Sequence, residues 1–254
     1  MTPRILIIAG SDSGGGAGIQ ADIKTVTMLG GFAMTAITAL TAQNTLGVSG
    51  VLPVPTDFVM AQVEAVLSDL DRLEALAPIP VVFDPVMVAS SGSVLADDAT
   101  IAAFERLMGV STLVTPNAPE LAALIGRPVR TVDAAEEGAR MLAARSGAAI
   151  LAKGGHLPGD GITDLLVTPG GEVVRWESER LETRNSHGTG CTLASAIAAG
   201  LGAGMGLADA IGRARAYVRA TLGAAPGFGA GHGPMAHALG VDPFAVIASK
   251  APSA

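Results

Sequence analysis

The chain has 254 residues, 49 % hydrophobic but only 3 % aromatic, enough to bury one full core built from Ala, Val, Leu and Ile. Sixteen basic against 23 acidic residues leave a net charge of −7, which argues against nucleic acid or an anionic membrane as the main partner. A single cysteine excludes an intramolecular disulfide and suits a reducing cytoplasm, the expected location, and neither a signal peptide nor a membrane-spanning run is legible.

Arg4 to Ile8 reads as a short strand feeding the turn "AGSDSGGGAG". That turn is not a P-loop, because no Lys-Ser/Thr pair follows, and its spacing is not G-x-G-x-x-G. It is either a place of close backbone approach to a small ligand or an ordinary strand-to-helix turn. A helix follows from Ile19 to Leu29, then a strand from Met34 to Leu40 running into "TAQN". Gln43 at its tip carries a donor and an acceptor, which suits the edge of a heterocycle; Asp22 and Gln43 taken singly could equally be surface or capping groups. Asp57 is the expected N-cap of a helix through Leu70. From there "VEAVLSDLDRLEALAPIP" runs one helix into another with no strand between, where a parallel sheet needs one.

"IPVVFDPVMV" is a buried strand with Asp84 at its end, and Leu113 and Val114 repeat the design before "TPNAPE". Asn117 and Glu120, three apart, could offer oxygen ligands to Mg²⁺ or form a plain capping box. A helix from Asp133 to Ser146 precedes the strand "AAILAKGGH", whose Lys153 and glycines suit nucleotide phosphates or simply a turn. "GITDLLVTPGGEVVRWESE" is a hairpin about Pro-Gly-Gly, and helices follow over Gly188–Ala203 and Leu207–Leu222 before a Gly- and Pro-rich tail. The four histidines lack zinc-ligand spacing. In "HGTGCT", Gly188, Thr189, Gly190 and Cys191 would present consecutive N–H groups at a helix start, an anion hole suited to phosphoryl transfer, with a Cys191 thiol of lowered pKa. Strands alternating with helices imply an α/β fold with a mostly parallel central sheet covered by helices on both faces, one domain over residues 1–254. The tips Asp12, Gln43, Asp84, Asn117 and Lys153 would converge on one rim.

Taken in order, "AGSDSGGGAGIQADIKT", "ALTAQNTLGV", "FDPVMVASSG", "TPNAPE", "AKGGH" and "NSHGTGCTLASAIAAGL" resemble the hydroxymethylpyrimidine/phosphomethylpyrimidine kinases of the ribokinase-like superfamily, over nearly the whole chain. The resemblance implies ATP- and Mg²⁺-dependent phosphorylation of 4-amino-5-hydroxymethyl-2-methylpyrimidine and of its monophosphate, in thiamin synthesis. It implies Gln43 on the aminopyrimidine edge, with Gly10, Ala17, Asp22 and Val86 shaping the pocket. It implies Asp84, Asn117 and Glu120 toward Mg²⁺ and the phosphates, with Lys153, Gly155 and Thr189 on the nucleotide. Gly188 to Cys191 would form the anion hole, with Cys191 as base or lining. A homodimer is also implied. The pattern departs from the family at Ser90, where a Lys is usual, and at Arg213 or Arg215, one of which could take over a phosphate contact. About twenty residues, most of one strand-helix unit, are absent between Leu70 and Asp71. Two alternatives remain: a pyridoxal kinase of the same superfamily, or a non-catalytic ligand-binding protein on this fold.

Overall fold

The computed structural model describes residues 2–70, 79–87 and 98–239. Strand β1 (Arg4–Asp12) lies parallel to β2 (Phe32–Asn44), and α1 (Gly18–Met28) makes the crossover between them. Strand β3 (Gly47–Pro53) returns antiparallel to β2 after a tight turn at Thr45 and Leu46. Helix α2 (Thr56–Leu70) packs on β2. It starts one residue before Asp57, so Asp57 is not its N-cap; the Asp57 carboxylate accepts from the N–H of Phe58 instead.

A second sheet holds β4 (Val82–Phe83), β5 (Leu113–Val114) and β6 (Ala149–Ala152) in parallel, with β7 (Gly161–Val167) and β8 (Val173–Glu179) added as an antiparallel hairpin. Crossovers between its parallel strands carry α3 (Asp98–Met108), then α4 (Ala118–Ile125) and α5 (Val132–Ser146). Local chemistry fixes these boundaries. Asn117 caps α4 and Gly126 ends it in the left-handed region, while the Thr131 side chain caps α5 and Gly147 ends that helix in the same way. Because side chains alternate across a strand, Val114 and Ile150 face the core under α4 and α5. Leu113 and Leu151 face the opposite core, with Leu193 and Ile197 of α6 (Thr189–Gly202) and Ile211 and Tyr217 of α7 (Leu207–Gly223).

The mostly parallel sheet expected from the sequence is thus mixed, and among the described residues it is divided in two. Strands β1 and β4 each leave one edge unpaired among the described residues, and α6 packs against both. Interior parallel strands are normally covered on both faces, yet Ile8 in β1 is 56 % exposed and Val81 beside β4 is 40 % exposed. The join after Leu70, where the sequence lacks a strand, runs into residues 71–78, outside the described ones, as does Ser90. Beyond α7 the chain doubles back. The N–H of His232 donates to the Thr45 carbonyl, that of Ala236 to Thr221, and the N–H of His187 donates to the Gly233 carbonyl.

Candidate active site

The glycine turn after β1 is organised by its own aspartate. The Asp12 carboxylate accepts N–H bonds from Gly14 at 2.8 Å, Gly16 at 3.0 Å and Ala17 at 2.8 Å. Those three amides are therefore engaged within the turn. Asp12 also lies 2.9 Å from Nε2 of the buried His187, which in turn lies 3.2 Å from the Gln43 amide. Burial tends to raise the Asp12 pKa, but the bonds from His187 and from the amides of Ala17 and Gly14 hold it below its ordinary value.

Helix α6 begins against this turn. Gly188 is its N-cap, with φ at +83°, and no side chain caps the helix. A Cβ on Gly188 would stand 2.0 Å from the Gly16 carbonyl oxygen, so the two turns interlock only through glycine. No side chain caps the first amides of α6, although the Thr189 N–H donates to the Ser186 carbonyl at 3.4 Å; an uncapped helix start has the ordinary character of an anion site. One turn along, Ser195 Oγ donates to the buried Asp22 at 2.6 Å. Burial, helped by the charge of Asp84 and opposed by the Ser195 bond, pushes the Asp22 carboxyl up to about 7.

Cys191 corrects an expectation. Its thiol is not lowered by the helix end. Burial first, then the charges of Asp22 and Asp84, push it up to about 12, against the Gly18 N–H and Lys153, which act the other way. A helix terminus supplies only partial charge, which desolvation and two nearby carboxylates outweigh.

Opposite the helix start, Lys153 at the end of β6 meets Asp84 at 2.6 Å and Glu120 at 3.9 Å. Thr115 Oγ1 also donates to Asp84, at 2.7 Å. Gly190 closes the gap: a Cβ there would be 2.9 Å from Asp84 Oδ2 and 3.6 Å from Lys153 Nζ. Asn117 and Glu120 form a full capping box, the N–H of Asn117 donating to Glu120 at 2.8 Å and that of Glu120 to Asn117 Oδ1 at 2.9 Å. Burial raises Glu120 to about 7, with Lys153 opposing and Asp84 adding. Burial would lower the Lys153 pKa, but the Asp84 and Glu120 charges outweigh it and keep the ammonium charged. Asp84 and Glu120 thus share one ammonium, and the Asp84 charge also acts on Asp22, an excess of carboxylates that suits a cation. No three potential ligands cluster around one point among the described residues, so such a cation would need oxygens from elsewhere.

Of the five tips expected to converge, Asp84 and Lys153 meet directly, Asn117 joins them through its capping partner Glu120, and Asp12 and Gln43 are linked through His187. Gly190 lies against Asp84, between Thr189 and Cys191 at the start of α6. Gly10 sits at a bulge within β1, Ala17 precedes α1, and Val86 is exposed two residues beyond Asp84. Gly155 stands in an exposed turn, its carbonyl accepting from Arg180 at 2.7 Å. Neither arginine proposed to replace a phosphate lysine is free. Arg213 bonds the Leu29 carbonyl at 3.2 Å, and Arg215 pairs with Asp164 at 2.7 Å and lies over Trp176. The sequence did not single out His187, Thr115, Ser195 or Asp164 for the site. Asp164 accepts from the N–H of Gly154 at 2.8 Å and so holds the turn after Lys153. Only His187 carried a signal, its position next to the glycine turn.

Comparison with known proteins adds the following. The profile of the phosphomethylpyrimidine kinase family matches residues 12–75 and 70–236. Its two pieces overlap at 70–75 and leave no residues between them. A hydroxymethylpyrimidine/phosphomethylpyrimidine kinase of Rhizobium meliloti is 49 % identical over 222 residues, 78 % of this chain and 82 % of that one. Longer multifunctional thiamine-biosynthesis relatives also match, and the chain spans 29 % of one and 53 % of another. Among solved structures, a Staphylococcus aureus pyridoxal kinase in complex with AMP-PCP superposes with a TM-score of 0.84 at 28 % identity, covering 94 % of this chain and 95 % of that one. A Clostridium difficile phosphomethylpyrimidine kinase gives 0.70 at 32 % identity, over 86 % and 98 %.

Proposed function

Since the chain belongs to the phosphomethylpyrimidine kinase family, we propose that this rim transfers the γ-phosphoryl group of ATP to 4-amino-5-hydroxymethyl-2-methylpyrimidine, and a second one to the monophosphate. The fold is ribokinase-like, and the chain is a phosphotransferase of the hydroxymethylpyrimidine/phosphomethylpyrimidine kinase type. The observation that carries the reading is the uncapped start of α6, with Gly190 against the Asp84–Lys153 pair. Phosphoryl transfer asks mainly for placement and for charge stabilisation, which helix amides and an ammonium supply.

In this reading the amides of Gly188 to Cys191 hold the transferring group, and Lys153 takes up charge on the nucleotide side with Thr189 and Gly155. Gln43 reads the pyrimidine edge, with Gly10, Ala17, Asp22 and Val86 around it. Asp84, Asn117 and Glu120 would hold Mg²⁺, which supplies charge neutralisation on the phosphates when bound; the surplus of carboxylates fits it. Cys191 lines the hole as a neutral thiol at physiological pH, given its raised pKa. The AMP-PCP bound by the Staphylococcus relative supports ATP as donor. No described helix is long and apolar enough to cross a membrane, in keeping with a cytoplasmic site of action.

A pyridoxal kinase activity is favoured by one observation, the higher TM-score to the pyridoxal kinase. Turnover assays with ATP, Mg²⁺ and each alcohol separate the two. Phosphorylation of pyridoxal but not of the pyrimidine overturns the first reading, and binding without product for both favours a non-catalytic protein. We also propose one domain over residues 1–254 whose folded protein carries a further strand-helix unit of about twenty residues between Leu70 and Asp71, rather than folding without it. The divided sheet and the interrupted profile match support this. A proteolytic peptide of the protein that joins Leu70 directly to Asp71 would overturn it.

A further inference from the structure

Thr41, Gln43, His187 and Asp12 form a hydrogen-bonded row whose donors and acceptors admit only one consistent assignment. Asp12 already accepts three backbone N–H bonds. An ionised carboxylate has no proton to give, so the 2.9 Å contact with His187 requires the proton on His187 Nε2. That nitrogen is then a donor on its side toward Gln43, 3.2 Å away. At the other end, Thr41 Oγ1 lies 2.8 Å from the Ser11 carbonyl and 3.3 Å from the Gln43 amide. The carbonyl can only accept, so the single Thr41 proton goes there, and Thr41 can only accept from Gln43.

Amide oxygen and nitrogen are nearly alike in size and are told apart by their partners. With the Gln43 nitrogen toward His187, two donors meet, and the Thr41 hydroxyl must serve two acceptors. Turned by a half rotation, every contact pairs a donor with an acceptor. Thr41 Oγ–H gives to Ser11, Gln43 Nε2–H gives to Thr41, and His187 Nε2–H is shared between Asp12 and Gln43 Oε1.

We propose that His187 and Thr41 are positioning residues that lock the Gln43 amide in this one orientation, and that the lock sets the enzyme's choice between amino and oxo heterocycles. The inference rests on the reading of Gln43 as the group that meets the substrate ring. The locked amide keeps one N–H and one oxygen lone pair for a ligand, in fixed order. That order complements a ring nitrogen flanked by an amino group. The lactam of an oxo analogue carries the reversed pattern, ring N–H beside C=O, and a freely rotating amide would accept either.

The first test uses the full chain without substrate. In protein labelled with nitrogen-15 on histidine, the His187 imidazole is expected as the Nε2–H tautomer at neutral pH. The Nδ1–H tautomer would overturn the proposal whatever the substrate proves to be. The second test compares kcat/KM for the aminopyrimidine alcohol with that for its 4-oxo analogue. Thr41→Val and His187→Leu should each lower that ratio about tenfold or more, with KM for ATP unchanged. Thr41→Ser, and His187→Gln with its amide nitrogen in the place of Nε2, should restore it. An unchanged ratio in Thr41→Val, a strand substitution of equal shape, overturns the proposal even if His187→Leu fails to fold. If the parent enzyme phosphorylates neither compound, the assignment of the reaction falls, while the tautomer still decides the lock.

Discussion

Gly188 illustrates what a single residue contributes here. Its positive φ and the 2.0 Å approach to Gly16 leave no room for a methyl group. Gly188→Ala is expected to cost about 3 kcal/mol, from backbone strain plus the clash, measured as a shift in urea midpoint, and to abolish turnover. Cys191 offers a second check. A thiol pushed up to about 12 from its ordinary 9.0 should react with iodoacetamide at pH 8 roughly a thousandfold more slowly in the native protein than in the urea-unfolded chain. Rapid native alkylation would contradict the burial argument. In Cys191→Ala, a fall in kcat beyond about a hundredfold would assign proton transfer to the thiol, since that is the usual worth of a general base. The identity of this turn was legible because glycines at a helix start have few other uses. The ionisation state of Cys191 was not, because it depends on Asp22 and Asp84, which the fold brings in from distant parts of the chain.

At the scale of elements, the turn after β6 depends on the hairpin that follows it. Asp164 in β7 accepts from the Gly154 N–H, and Arg215 of α7 fixes Asp164. Asp164→Asn should leave Arg215 without its partner in a largely buried place, costing about 3 kcal/mol in thermal or urea unfolding. KM for ATP should rise, because Lys153 loses its supported turn; an unchanged KM would separate the hairpin from the nucleotide side. Periodicity located the hairpin and α5 to α7 closely, since each is bounded by glycines or caps. It ended β1 at Ile8, four residues short of Asp12, because Gly10 and the polar residues after it read as turn although they still pair with β2. It placed the first helical residue of α2 two residues late, because Thr56 and Asp57 are both good helix-start residues. It could not foresee Asp164, whose role exists only once β7 pairs with β6.

Across the whole molecule, charge and apolar surface make separate predictions. Burial pushes the Asp22 and Glu120 carboxyls up to about 7, from ordinary values of 3.8 and 4.5. Their neutral forms are the stable ones, so their contribution is full below about pH 4 and is lost as pH rises through 7. Mg²⁺ with ATP should therefore raise the melting temperature more at pH 8, where Glu120 is ionised, than at pH 5.5, and an equal rise would argue against cation binding at Glu120. Leu46 in the turn after β2, Leu52 in β3 and Phe58 in α2 are exposed. The homodimer that the family resemblance implies would cover such apolar side chains. Light scattering should then give a dimer that Leu52→Glu dissociates, and a monomeric parent would refute it.

The doubled-back tail has a consequence for how the protein is made. The backbone of Gly233 and His232 bonds that of His187 and Thr45, and the His187 side chain lies against Gln43. Those contacts cannot form until almost all of the described chain has left the ribosome. The strands can pair earlier, while the brace on His187 waits for residues beyond 230. A nascent chain would thus acquire its scaffold before it completes the candidate site.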